Sequence, residues 1–307
     1  MDTIVSISTA LGKGAISIVR LSGDDAINIV NKSFEGKDLN NVESHTIHHG
    51  YIVDEGERID EVLVSVFKAP KTYTKEDVVE INCHGGMYVT NRVMEIMIKN
   101  GALLAEPGEF TKRAFMNGRI DLTQAEAVMD VINSETERSL KCANIGLHGD
   151  VKKLINQFKE QIMDCITKIE VNIDYPEYLD IEVVSKEKII TEGRKLHEMI
   201  AKLVNEGEEG AKIKDGVNVA LVGKPNVGKS SLLNCLLKED KAIVTNVAGT
   251  TRDVVEGNIV FKGITLHLFD TAGLHDSNDE VESLGIKKTK KTIDEADIVV
   301  LLLDGEN

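Results

Sequence analysis

The stretch from Gly223 to Ser230 constrains this 307-residue chain more than any other part of its sequence. It reads Gly-Lys-Pro-Asn-Val-Gly-Lys-Ser and fills every fixed position of the pattern GxxxxGK(S/T). The apolar run Val217 to Val222 precedes it, and the leucine-rich run Ser231 to Leu237 follows it. This order predicts a strand, a phosphate-binding loop and a helix, with backbone N–H groups facing phosphate oxygens. The alternative is a glycine-rich turn that binds nothing, and the complete motif with correct flanks argues against it.

Two later segments refine this prediction. Within the loop, Lys229 is placed to reach the β- and γ-phosphates, and the Ser230 hydroxyl to hold Mg²⁺. The segment Gly249–Asp253 (GTTRD) is typical of a switch loop whose threonine completes the Mg²⁺ shell. The segment Asp270–Gly273 (DTAG) follows an apolar strand, so Asp270 can act on Mg²⁺ from behind its direct ligands while the amide of Gly273 meets the γ-phosphate.

These three ordered motifs resemble those of the translation-factor-related GTPases and cover roughly the last third of the chain. The Asn-Lys-x-Asp motif, with which that family reads guanine, does not occur before Asn307. Guanine specificity is therefore implied by the resemblance alone.

Composition narrows the class of protein. The net charge of −15 has the wrong sign for a protein that coats nucleic acid, so any tRNA contact is expected at a local patch or on a partner. The four cysteines are scattered without a CxxC pair, which predicts neither a zinc site nor a disulfide framework. The N-terminus lacks the pattern of a signal peptide, and no apolar run approaches the roughly 20 residues of a membrane span. We expect a cytoplasmic protein.

The chain is predicted to contain three domains. Residues 1–118 mix strand and helix patterns, which favours an α+β domain. Strands are expected at Ala15–Leu21, Glu61–Phe67 and Val78–Cys83, and helices at Asp24–Lys32 and Tyr88–Asn100.

Residues 119–210 predict an incomplete helical domain, and residues 211–307 an incomplete α/β P-loop GTPase domain. Thr123 and Glu126 form a candidate capping box for the first of the long helices. The Gly- and charge-rich stretch Glu206–Gly216 is predicted to be a linker. Beyond the loop helix, Asn258–Phe261 and Thr265–Phe269 predict a pair of strands.

This architecture and its motifs closely resemble the MnmE (TrmE) family of tRNA-modification GTPases, as does the stretch Phe110–Ala127 (FTKRAFMNGRIDLTQAEA). The resemblance implies a homodimer joined through folate-binding N-terminal domains. It also implies a heterotetramer with the flavoprotein MnmG (GidA). The two proteins together are implied to add a carboxymethylaminomethyl- or aminomethyl-type group to the wobble uridine of tRNA. The family's C-terminal Cys-x-Gly-Lys motif is not found here, so the resemblance is to a C-terminally truncated member.

The resemblance also assigns roles in a K⁺-stimulated GTPase. Leu274 stands where Ras-type GTPases carry a water-orienting glutamine, and Glu282 matches the family's catalytic glutamate. Asp279 and Glu280 are the acidic-loop alternatives, and Arg252 is an alternative source of positive charge to K⁺. The residues implied to contact GTP are Asn226, Val227, Gly228, Lys229, Ser230, Ser231, Thr245, Asn246, Val247, Ala248, Gly249, Thr250, Thr251, Asp270, Thr271, Ala272 and Gly273. The implied metal ligands are Ser230 and Thr251 for Mg²⁺, and Asn226, Thr245, Val247 and Thr250 for K⁺.

A folate site is expected in the N-terminal domain at Arg20, Glu80 and Arg119, which match the family's folate-contacting positions. A carboxylate on an apolar strand is costly without a partner, and the donor edge of a pterin can supply one. The glutamate tail of 5-formyl-tetrahydrofolate calls for arginine. The alternative is a structural cluster in which Glu80 pairs with one arginine.

Two rival functions share these motifs. One is a regulatory GTP-binding protein of ribosome assembly, against which the large N-terminal domain argues. The other is a folate-dependent one-carbon transferase with an attached GTPase. Elsewhere, the tripeptide His84-Gly85-Gly86 lies between a predicted strand and a predicted helix. This position is equally consistent with an anion-binding turn and with a purely structural turn.

Overall fold

The computed structural model describes residues 2–175, 186–223, 227–238, 257–270 and 293–303. The chain divides into two compact units, Met1–Ala125 and Glu126–Asn307. The domain limits predicted at residues 118 and 210 remain predictions. None of the described helices combines the length and the apolar character that a membrane crossing needs.

The first unit is built on a seven-stranded sheet within the described residues, in the spatial order β3-β4-β5-β6-β2-β1-β7. Its strands are β1 (Ile4–Ile7), β2 (Ile16–Ser22), β3 (Phe34–Glu35), β4 (Thr46–Asp54), β5 (Glu57–Phe67), β6 (Val78–His84) and β7 (Leu103–Leu104). Neighbouring strands are antiparallel except β1 and β7, which are parallel.

Two helices cover one face of this sheet, α1 (Ala26–Asn31) and α2 (Met87–Lys99). A 3-10 turn (Leu39–Asn41) and the helix α3 (Glu109–Met116) complete the unit. Val79, Ile81 and Cys83 alternate along β6 and lie in the core with Val93 and Met97 of α2. Side chains at the intervening strand positions point to the opposite face. The predicted strands and helices of this region are confirmed, within two residues at the helix ends and with β5 four residues longer at its start.

The helical part of the chain contains α4 (Leu122–Ile132), α5 (Glu137–Leu147), α6 (Asp150–Asp174) and α7 (Lys186–Asp215). The predicted capping box of α4 is wrong by two residues. The Oδ1 of Asp121 accepts from the N–H of Gln124, and the Oε1 of Gln124 accepts from the N–H of Asp121. The hydroxyl of Thr123 also donates to Asp121. Asp121 caps the helix because its carboxylate reaches the N–H of Gln124 in the first turn.

The linker predicted at Glu206–Gly216 is also wrong, because α7 continues through this stretch to Asp215. Glycine in a helix costs about 1 kcal/mol relative to alanine, and this stretch contains Gly207 and Gly210. Its glutamates, lysines and alanine favour the helix, and the contacts that α7 makes with α5 and β10 add tertiary packing. The helix ends where Gly216 adopts a positive φ of 82°.

The remaining elements form a second sheet around a central parallel strand. They are β8 (Val217–Gly223), α8 (Lys229–Lys238), β9 (Gly257–Phe261), β10 (Ile264–Asp270) and β11 (Ile298–Leu302). Among the described residues the strand order is β11-β8-β10-β9, in which β8 is parallel to both neighbours and β9–β10 is an antiparallel hairpin. Val219, Leu221, Leu233 and Leu268 form its core, with Leu233 contributed by α8. The structure confirms, within two residues, the predicted helix at Ser231–Leu237 and the predicted strands at Val217–Val222, Asn258–Phe261 and Thr265–Phe269.

Candidate functional site

The loop between β8 and α8 lies at the carboxyl edge of the second sheet. The strand before it, β8, is flanked by the parallel strands β10 and β11, and the loop leads directly into α8, which begins at Lys229. Crevices at the carboxyl ends of parallel strands are the usual ligand sites of open α/β sheets. Gly228 has a φ of 94°, a conformation that L side chains rarely adopt, and its carbonyl accepts the N–H of Leu232 to start the helix.

Lys229 is directed back across the loop. Its side chain is 4% exposed, and its Nζ donates to the carbonyl of Gly223 at 2.7 Å. Gly223 itself is held against the neighbouring strand, because a Cβ at this position would lie 2.6 Å from the carbonyl oxygen of Leu302. The loop therefore starts at a glycine that the sheet requires, and its lysine contacts the end of β8.

The last residue of β10 reaches the same edge. Asp270 is paired in register with Leu221, two residues before Gly223, so its backbone lies beside the loop. The structure thus brings together the backbone positions of Val227, Gly228, Lys229, Ser230, Ser231 and Asp270. A serine hydroxyl and a carboxylate are hard oxygen donors of the kind that Mg²⁺ prefers, so these residue types fit that ion.

The other predicted nucleotide and metal positions lie outside the described residues. They are Asn226, Thr245, Asn246, Val247, Ala248, Gly249, Thr250, Thr251, Thr271, Ala272, Gly273 and the candidate catalytic residue Glu282. In the part of the chain that is described, no group of three or more His, Cys, Asp or Glu residues is arranged to hold a metal ion.

In the first unit, Arg20 and Glu80 form a cross-strand pair on the sheet face opposite α1 and α2. The two residues are directly opposite in the register of β2 and β6. The Nε and Nη2 of Arg20 lie 2.8 and 2.7 Å from the Oε1 of Glu80, and the side chains are 30% and 21% exposed. This pair corresponds to the alternative prediction of a structural ion pair, and it also leaves both groups accessible.

Arg119, the third predicted folate residue, approaches the same region through α3. Its guanidinium lies 5.0 Å from the ring centre of Tyr73, whose hydroxyl is 2.9 Å from that of Thr111. Phe110, the residue before Thr111 in α3, has its ring centre 5.8 Å from the guanidinium of Arg20. Consecutive residues at the start of α3 therefore contact Arg20 and the aromatic partner of Arg119.

Comparison with known proteins places this chain in a family. Residues 3–119 match the family model described as GTP-binding protein TrmE N-terminus. Residues 122–301, more than half of the chain, match the model of the MnmE helical domain. The chain belongs to the MnmE family.

Curated relatives agree with this assignment. The chain is 54% identical over 303 residues to a protein of Streptococcus thermophilus, 52% identical over 305 residues to one of Levilactobacillus brevis, and 54% identical over 306 residues to one of Lactobacillus delbrueckii subsp. bulgaricus. Each of the three carries the name tRNA modification GTPase MnmE, and each match covers 99% of this chain. The chain spans 66% of the length of these MnmE relatives.

One structural residue of the first unit was missed in the sequence. Arg113 of α3 is 6% exposed and contacts the carboxylates of Glu76 and Glu109 at 3.2 and 2.9 Å, and the carbonyl of Asp2 at 2.8 Å. Burial by itself raises the pKa of Glu109. The N–H of Glu106 and the Arg113 guanidinium outweigh this effect and hold the pKa of Glu109 below its usual range. The signal in the sequence was the Glu–Arg spacing of four residues in a short helix. Arg113 anchors the helix that carries Phe110 and Thr111.

The turn His84-Gly85-Gly86 uses its glycine amides internally. The N–H of Gly85 donates to the carbonyl of Ala15, and that of Gly86 to the carbonyl of His84. These bonds favour the structural turn over the anion-binding turn. His84 itself is anchored, because the largely buried carboxylate of Asp60 accepts from its backbone N–H at 2.8 Å and lies 2.7 Å from its Nδ1. This hydrogen bond raises the pKa of His84 above its ordinary value.

Proposed function

We propose that this chain is the nucleotide-binding and folate-binding part of a tRNA-modifying GTPase. The observation that carries the proposal is the loop Gly223–Ser230 at the edge of a parallel sheet, in a chain 52–54% identical to relatives named tRNA modification GTPase MnmE. The protein acts as a homodimer in the cytoplasm and works with the flavoprotein MnmG on the wobble uridine of tRNA.

The loop residues of this α/β P-loop GTPase domain bind the phosphates of GTP. Backbone N–H groups around Gly228 and the N-terminus of α8 face phosphate oxygens, and the Lys229 ammonium exchanges the neutral carbonyl of Gly223 for a charged acceptor. Ser230 and Thr251 would hold Mg²⁺, with Asp270 behind these ligands, and the ion would supply positive charge to the β- and γ-phosphates.

The residues that assist hydrolysis are proposed to lie in the loops beyond β8 and β10. Glu282 orients the attacking water, because a carboxylate can accept a proton that the apolar Leu274 cannot. Asn226, Thr245, Val247 and Thr250 would hold K⁺ through oxygen atoms. The ion would supply positive charge where charge develops between the phosphates, as an arginine finger does in other GTPases.

Equilibrium binding of fluorescent GDP and of a non-hydrolysable GTP analogue to the full-length protein tests the nucleotide site. Lys229→Ala is expected to weaken binding of both nucleotides, since it removes the side-chain charge nearest the phosphates. Lys212→Ala is the matched control, because Lys212 is an exposed lysine of α7. Equal affinity in Lys229→Ala and Lys212→Ala would refute the proposed phosphate site.

The first unit is proposed to bind 5-formyl-tetrahydrofolate between β6 and α3. Glu80 accepts the paired N–H donors of the pterin. The Nε and Nη2 of Arg20 both contact Oε1 of Glu80, so Arg20 orients this carboxylate. Arg20 and Glu80 contact each other directly, so they serve the same end of the ligand. Arg119, held against Tyr73, then meets the carboxylates of the glutamate tail.

Calorimetric titration of 5-formyl-tetrahydrofolate into the full-length protein tests this site. Glu80→Ala is expected to abolish measurable binding, whereas Glu61→Ala, a change at an exposed glutamate of the neighbouring strand β5, is expected to preserve it. Tight binding that survives Glu80→Ala would show that the pterin lies elsewhere. Absence of binding to the unaltered protein would remove the folate role.

A further inference from the structure

The end of α3 fixes the backbone of Arg119. Gly118 follows the helix with a φ of 66°, in the left-handed region. Its N–H donates to the carbonyl of Phe115, and the N–H of Arg119 donates to the carbonyl of Ala114, each at 2.9 Å. These two bonds form the glycine cap that is common at the C-terminal ends of helices, where glycine reverses the chain without strain. Arg119 is therefore held at a defined place directly after the helix.

Two side chains tie this helix end to the loop between β5 and β6. The Nδ2 of Asn117 donates to the carbonyl of Thr74 at 2.6 Å, and the Nζ of Lys75 donates to the carbonyl of Gly118 at 3.1 Å. Lys75 has a φ of 60°, which is uncommon for residues other than glycine. We call Thr74, Lys75, Asn117 and Gly118 the helix-end clasp. It joins two segments that are 43 residues apart in the chain.

The loop side of the clasp is itself anchored. Thr74 is fully buried, and its hydroxyl lies 2.7 Å from that of Ser22, which is fully buried at the end of β2. The hydroxyl of Ser22 also donates to Glu76 at 2.7 Å, and Arg113 of α3 contacts the same carboxylate. Moving this part of the loop would leave buried polar groups unpaired, which is costly. Asn117 therefore donates to an acceptor whose position is fixed.

The clasp brings the next residue of each segment into contact. Tyr73 precedes Thr74, Arg119 follows Gly118, and the guanidinium of Arg119 lies 5.0 Å from the ring centre of Tyr73. The hydroxyl of Tyr73 is 2.9 Å from that of Thr111 in α3, which holds the ring from its far end. Arg119 is exposed. A guanidinium stacked on an aromatic ring keeps its N–H donors free at the edge, where a carboxylate can accept two of them.

We propose that Asn117 is a positioning residue of the folate site, which acts through the clasp to hold Arg119 where the glutamate tail of the ligand arrives. This inference rests on the proposed folate-binding function. An exposed arginine has many rotamers, and ordering it on binding costs affinity. Because the clasp fixes the backbone of Arg119 and places Tyr73 beside its guanidinium, a carboxylate orders this side chain at lower cost. The clasp thus selects ligands that carry the glutamate tail.

Calorimetric titration of the full-length protein with two ligands, with displacement for a weak one, measures this selection. The ligands are 5-formyl-tetrahydrofolate and 5-formyl-tetrahydropteroate, which ends at the benzoate and lacks both glutamate carboxylates. The unaltered protein is expected to prefer the folate. Asn117→Ala is expected to weaken folate binding about five- to tenfold, the cost of ordering one flexible side chain, and to leave pteroate binding nearly unchanged. Asn117→Asp is expected to do the same, because an ionised carboxylate keeps the size of the side chain but cannot donate to Thr74.

Asn100→Ala is the matched control. Asn100 caps the end of α2 as Asn117 caps the end of α3, and its Nδ2 donates to the carbonyl of Ile29 at 3.1 Å. The helix α2 covers the sheet face opposite Glu80. Losing the same kind of bond there is expected to leave the preference for the folate unchanged. The control therefore separates the positioning of Arg119 from a general loss of stability.

The outcomes distinguish the inference from the folate site itself. A reduced preference for the folate in both Asn117 variants, with the full preference in Asn100→Ala, supports the positioning role. An unchanged preference in either Asn117 variant, or an equal loss of affinity for both ligands, overturns it. An unaltered protein that binds the two ligands equally well refutes the role proposed for Arg119, and the inference with it. An unaltered protein that binds neither ligand refutes the proposed folate site and leaves Asn117 nothing to position.

Discussion

Replacing Arg113 with alanine is predicted to destabilise the first unit by about 3–5 kcal/mol, the usual cost of breaking a buried ion pair from one side. The Arg113 side chain is 8% exposed and that of Glu76 is 9% exposed, so neither charge is well solvated. The substitution leaves the Glu76 carboxylate with the hydroxyl of Ser22 as a donor but without its cation. It also removes the Arg113 hydrogen bonds to the Glu109 carboxylate and to the carbonyl of Asp2.

The thiol of Cys83 provides the assay, because it lies in the core of the first unit at 2% exposure and burial raises its pKa. A thiol reagent therefore labels Cys83 only when this core opens, and peptide mass spectrometry separates it from the other cysteines. With reclosing faster than labelling, 3–5 kcal/mol corresponds to labelling about a hundredfold to a few thousandfold faster.

Arg92→Ala is the matched control for this prediction. Arg92 is 37% exposed and pairs with Asp54 at 2.7 Å, so its loss is expected to cost under about 1 kcal/mol, less than about fivefold in rate. A rate for Arg113→Ala within fivefold of the unaltered protein would refute the idea that the buried cluster stabilises the unit.

Three further predictions concern charge and catalysis. Asp60→Asn is expected to lower the pKa of His84, measured by NMR titration. It is also expected to remove the stability that the Asp60–His84 pair contributes, which is fully present below the ordinary histidine pKa and is lost as pH rises through the raised pKa of His84. An unchanged pKa in the variant would exclude Asp60 as the cause. Glu282→Ala is expected to slow GTP turnover about 10²-fold with little change in nucleotide affinity, whereas Asp279→Ala should do little, and similar behaviour of the two would deny Glu282 a special role. Turnover should require K⁺ held by Asn226, and equal rates in matched Na⁺ buffer would contradict this.

The elements of the second sheet were predictable because their signals are local. The strand before Gly223 and the helix after Lys229 follow from an apolar run, a glycine-rich turn and leucines at helical spacing. The linker prediction was wrong because it relied on a local signal, the glycines at residues 207 and 210. The helix α7 tolerates the energetic cost of these glycines because it is long and packs against α5 and β10.

The candidate folate residues were predicted from family resemblance, while their arrangement came from the sheet. Register alone places Arg20 opposite Glu80, 60 residues away in the chain. Nothing in the sequence near Tyr73 indicates that it contacts Arg119 and Thr111, because both partners are remote from Tyr73 in the chain. The contact of Arg113 with Glu76 holds α3 close to the segment that carries Tyr73.

The sequence by itself determined the order of strand, glycine turn and helix around Gly228, since a glycine at positive φ and a following helix are properties of consecutive residues. Only the tertiary structure decided the Arg113 cluster, the Asp60–His84 pair and the contact between Glu135 and Asn258. Glu135 and Asn258 are 123 residues apart, and a polar side chain carries no mark of its partner in the sequence. Their pairing depends on which strands and helix ends the apolar core brings into contact, because hydrogen bonds form wherever packing leaves a donor beside an acceptor.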